Sequence, residues 1–132
     1  MRIRLILAVS ASALCGVSTA GPAALSGSWS GEMRQIETTA ETTYPMTLTI
    51  KGKHVEANYP TLNCSGTWTK IAEKQGYVIY AETVTNQKDA SCIDGIVTVT
   101  ASNGQVLLGW FGADTWGPIV AMAALENSEA AK

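Results

Sequence analysis

With 132 residues, 46% of them hydrophobic and 15% charged, and a formal net charge of −2, the chain has room for one compact domain and not for two. Nine aromatic residues and fifteen threonines exclude a disordered chain, which would be charged and poor in both classes. Arg2, Arg4 and Arg34 are the only arginines and no basic stripe exists, so a nucleic-acid partner is excluded as well.

In chain order, Met1-Arg2-Ile3-Arg4 is a basic start, Leu5 to Val17 an apolar run, and Ser18-Thr19-Ala20 a set of small residues suited to a leader peptidase. Residues 1–20 therefore have the form of a secretory signal peptide, with Gly21 as the mature start. The apolar run is roughly 13 residues, against about 20 for a spanning helix, so no stable membrane insertion is expected. Cys15 raises a lipoprotein alternative, but the bulky Leu14 stands where such sites need a small residue. An exported chain, periplasmic or secreted, is the expectation. Without Arg2 and Arg4, seven basic residues face eleven acidic ones, and the mature net charge becomes −4.

Residues 21–26 form a short linker, 27–125 the folded domain and 126–132 a polar tail. Within the domain, apolar residues recur with period 2, most cleanly at Tyr44, Met46, Leu48 and Ile50, which marks an antiparallel strand with one buried face. The same test predicts eight strands, at roughly 28–37, 43–51, 54–59, 65–73, 77–85, 96–102, 105–111 and 118–125. Lys51-Gly52-Lys53, Lys74-Gln75-Gly76 and Ser102-Asn103-Gly104 supply hairpin turns between them. A meander of this length hides its two edges by closing on itself, so the predicted fold is a small all-β antiparallel meander barrel. Ser26-Gly27-Ser28-Trp29-Ser30 and Ser65-Gly66-Thr67-Trp68-Thr69 echo one another. In each the glycine is expected to ease the start of a strand and the indole to close a barrel end, with Trp110 as a third plug.

Cys64 and Cys92 are the two cysteines of the mature chain, and in an exported protein an even pair implies one disulfide. His54 is the single histidine and falls at a predicted hairpin, so neither a catalytic triad nor a Cys/His metal site can be assembled. Carboxylates are the remaining chemistry. Asp89 and Asp94 flank Cys92, with Glu82 on the preceding strand, a grouping that would suit an acid-pair hydrolase only across a cleft of the right width.

Gly27-Ser28-Trp29 resembles the Gly-x-Trp that opens the first strand of lipocalins and their avidin-like relatives, although no arginine follows Arg34 to pack on that indole. Tyr59-Pro60-Thr61-Leu62-Asn63-Cys64-Ser65-Gly66-Thr67-Trp68, with Cys92-Ile93-Asp94-Gly95 and Gly109-Trp110, resembles small exported bacterial β-domains carrying a paired Cys and a Cys-x-Asp-Gly signature. In size, single disulfide and strand count the chain is also similar to periplasmic inhibitors of c-type lysozyme.

These features point to a non-catalytic binding protein that meets a macromolecular partner, a protein, through loops at one barrel end, in the manner of an inhibitor or immunity protein. Asp89, Asp94, Tyr59 and Asn63 are its candidate contact residues. The alternative is a carrier of a small apolar ligand, with Trp29, Trp68, Trp110 and Tyr44 lining a pocket. No metal or cofactor is implied.

Overall fold

The computed structural model describes residues 25–87 and 91–129. The leader, Cys15, the Gly21 start and Asp89 lie outside them. The fold is a closed barrel of eight antiparallel strands in simple meander order. The strands are β1 (Gly27–Ile36), β2 (Glu41–Lys51), β3 (His54–Tyr59), β4 (Cys64–Lys74), β5 (Tyr77–Gln87), β6 (Gly95–Ser102), β7 (Gln105–Asp114) and β8 (Gly117–Asn127). All eight predicted strands are present, several of them longer at one or both ends. β8 pairs with β1 from Ile36↔Val120 to Trp29↔Asn127, so no strand edge is left exposed.

Alternation decides what fills the interior. Met46, Leu48 and Ile50 of β2, Val55 and Ala57 of β3, and Val97 and Val99 of β6 are buried inside. Thr47, His54, Glu56 and Asn58 on the same or neighbouring strands are exposed. This is the reverse of a barrel that spans a bilayer, whose apolar band faces outward. Among the described residues no helix is long and apolar enough to cross a membrane.

Because successive strands reverse direction, the connections fall alternately at two ends. One end carries the hairpins at Gly52, Gly76 and Asn103-Gly104, all with positive φ as two-residue turns demand. It is shut by Trp29, whose indole N–H donates to the Leu25 carbonyl at 2.8 Å. Leu25 itself is only 3% exposed, so the packed domain begins within the stretch expected to be linker. β8 likewise runs through Glu126 and Asn127, held by pairing with Ser30 and Trp29.

The other end carries the three longer connections, residues 37–40, the stretch with the 3-10 turn Pro60–Leu62 and the segment between β5 and β6, together with the two-residue turn Thr115-Trp116. The Cys64–Cys92 disulfide ties two of these together across 28 residues. Closing a loop of that size contributes about 3–4 kcal/mol in the chain-entropy account.

Candidate functional site

The interior is not uniformly apolar. Glu82 on β5 sits at an inward position, 4% exposed and the one buried charged side chain among the described residues. Its Oε2 accepts hydrogen bonds from the Tyr59 hydroxyl at 2.7 Å and the Trp68 indole at 2.5 Å, and its Oε1 accepts one from the Trp110 indole at 3.0 Å. Trp68 faces Glu82 directly across the β4–β5 pair, whereas Tyr59 and Trp110 reach it from β3 and β7. One carboxylate therefore ties four strands together, each bond to a charged acceptor contributing on the order of 1.5–3 kcal/mol against the cost of burial. Burial raises the Glu82 carboxyl above its ordinary range; the Trp68, Tyr59 and Trp110 donors pull it back down, and the nearby Asp94 pushes it up again.

Three glycines make room for this arrangement. A Cβ at Gly66 would lie 2.7 Å from the Glu82 side chain, and one at Gly95 or Gly112 would lie 2.3 Å from the Trp110 ring. The indole thus lies along the barrel wall over β6 and β7. The two Ser-Gly-x-Trp segments are consequently not equivalent. Gly27 has the positive φ expected at a strand start, but Gly66 is required for space, and Trp68 is anchored to a carboxylate rather than serving as an end plug.

Above Glu82, toward the end with the long connections, lies a crevice of about 60 Å³. Tyr44, Tyr59, Trp110, Gln35, Glu82 and Cys92 are among its lining residues. Tyr44 and Tyr59 meet edge to face with ring centroids 6.1 Å apart. The Tyr44 hydroxyl donates to Gln35 Oε1 at 2.7 Å, and Gln35 Nε2 donates to Glu37 Oε1 at 2.5 Å, so a polar chain runs from the wall to the rim. Burial and the negative charges of Glu82 and Glu37 push the Tyr44 hydroxyl up to about 12, and burial with Glu82 raises Tyr59 well above the ordinary phenol value. Both stay protonated donors at neutral pH.

The predicted contact residues separate. Tyr59 is buried inside the crevice, Asn63 is exposed in a left-handed turn after Pro60–Leu62, and Asp94 braces the loop by accepting the Val84 amide at 2.8 Å. Of the predicted pocket residues, Tyr44 and Trp110 line the crevice, Trp68 lies buried against Glu82, and Trp29 is at the opposite end. His54 is also at that opposite end, exposed, 3.7 Å from Glu56.

Trp116 was not singled out by the sequence. It is 88% exposed in the turn between β7 and β8, at the same end as the crevice, with its amide held by Asp114 Oδ1 at 2.7 Å. Just below, on the outer wall, register places Ile96, Phe111, Val120 and Ile36 side by side across β6, β7, β8 and β1. Ile96, Phe111 and Ile36 are exposed. The fold and this end together define a disulfide-braced meander barrel with one end closed by Trp29 and one open, aromatic and acidic end. Comparison with protein-family models, curated proteins and solved structures finds no match to this chain.

Proposed function

We propose that the chain is an exported, non-catalytic binding protein that meets a protein partner through the open end of its barrel. The observation that carries this reading is Trp116. A tryptophan almost wholly in water, beside a row of exposed apolar side chains, is what a recognition surface presents and what an isolated soluble fold has reason to avoid. The disulfide suits an oxidising compartment and stiffens the loops around the contact. The crevice inside the barrel's open end, at about 60 Å³, supports recognition over carriage in the interior, since pockets that enclose small ligands usually run to roughly 300–1,000 Å³. Glu82 and Asp94 are both held in structural hydrogen bonds, which does not favour an acid-pair hydrolase.

Capture from periplasmic extract and from host secretions, with the mature domain and its Trp116→Ala variant as paired baits, tests the reading. A protein held by the wild type and lost with Trp116→Ala supports it. Equal capture by both baits removes the open end from the contact. Stoichiometric quenching of tryptophan fluorescence by an apolar small molecule would put the carrier reading in its place.

A further inference from the structure

We propose that the open-end crevice binds a single alkylammonium group, with Glu82 as its anionic floor and Tyr44, Tyr59 and Trp110 as its aromatic walls. The inference rests on the open end being the binding face and adds the chemistry of what enters it.

Four observations lead there. First, Glu82 has hydrogen-bond donors but no cation: among the described residues the ion pairs are Arg34–Glu41, His54–Glu56 and Lys70–Glu73, all on the exposed surface. Among the described residues, no lysine, arginine or histidine lines the crevice. Second, Oε2 is occupied by two donors while Oε1 has one, so the carboxylate retains acceptor capacity on Oε1.

Third, the walls are aromatic. Gly95 and Gly112 let the Trp110 indole lie against the barrel wall while the ring also lines the crevice, and two tyrosines stand perpendicular to one another nearby. Aromatic faces around a carboxylate attract a desolvated cation and repel an anion. Fourth, size is restrictive. At about 10–15 Å³ for each water-sized position, 60 Å³ admits an ammonium with its last methylenes and excludes a bulky apolar ligand.

An alkylammonium can come from a lysine side chain of the partner or from a free amine, and the experiment separates the two. The intact disulfide-bonded protein is titrated with n-butylammonium, with N-acetyl-lysine methylamide and with neutral n-butanol, following the indole N–H resonance of Trp110. Saturable shifts with both cations and none with butanol are expected, with affinity at least tenfold weaker in Glu82→Gln and unchanged in His54→Gln at the far end. Butanol shifting Trp110 as strongly as butylammonium, or no saturable shift with either cation, overturns the proposal.

A second readout needs no variant. Wild-type affinity for butylammonium should fall as pH drops through the titration of Glu82, the groups facing it being Tyr59, Trp68, Trp110, Asp94 and, farther off, Tyr44 and Glu37. A pH-independent affinity overturns the role of the carboxylate. Displacement of a captured partner by N-acetyl-lysine methylamide identifies the cation as a side chain of that partner, and retention of the partner identifies a free amine. Loss of capture on Trp116→Ala without any amine shift would sink this inference while leaving the open-end reading intact.

Discussion

The two ends of the barrel solve the same problem with opposite chemistry. At the closed end Trp29 satisfies its indole N–H on a backbone carbonyl four residues away. At the open end Trp68 and Trp110 satisfy theirs on a carboxylate 14 and 28 residues away in sequence. A local partner closes an end and has nothing further to offer a ligand. A long-range, charged partner has to be held in place by four strands, a disulfide nearby and three glycines, and it leaves a polar crevice behind.

The largest effect should come from deleting the charged hub. Glu82→Ala orphans three buried donors and should lower unfolding free energy by about 3–6 kcal/mol in urea titrations. Glu82→Gln should cost less, about 1–3 kcal/mol, because its carbonyl still accepts while its amide meets a donor. If both variants match wild type, the carboxylate is not the strut described.

At the closed end, Trp29→Ala should cost roughly 3–5 kcal/mol through lost packing alone. Unlike the Glu82 variants, it should leave the response to butylammonium unaltered wherever the protein remains folded. A lost response would mean the two ends are coupled.

The Cys92→Ser variant should lose about 2–4 kcal/mol and several degrees of thermal midpoint. Two free thiols in the unreduced native protein would contradict the bond.

A smaller difference appears with pH. Since burial raises the Glu82 carboxyl, its contribution to stability is complete below the ordinary carboxylate range and is lost as pH rises through the raised folded value. Subtracting the Glu82→Gln stability curve from that of wild type should expose a decline over that window. An opposite slope would mean the three donors outweigh burial.

Smallest of all, Trp116→Ala should change stability by less than about 0.5 kcal/mol, because the ring touches little. Its effect should be confined to partner capture.

Much of this molecule is written in short-range pattern. Period-2 alternation marks all eight strands, Gly52, Gly76 and Asn103-Gly104 mark the hairpins, and an even pair of cysteines marks the disulfide. Each signal is local or pairwise, and an edge-free meander follows from them because unpaired strand edges are costly. Glu82 also left a trace, since Val78, Tyr80, Glu82 and Val84 share one phase and the acid therefore stands at an inward position. What phase does not say is which donors meet it. The convergence of Tyr59, Trp68 and Trp110 on one carboxylate, the use of Gly66, Gly95 and Gly112 as space rather than as turns, and the gathering of Trp116 with the crevice at one end all depend on closure. Closure sets residues 14 to 28 positions apart against each other inside a single ring of strands, and only the tertiary structure fixes those distances.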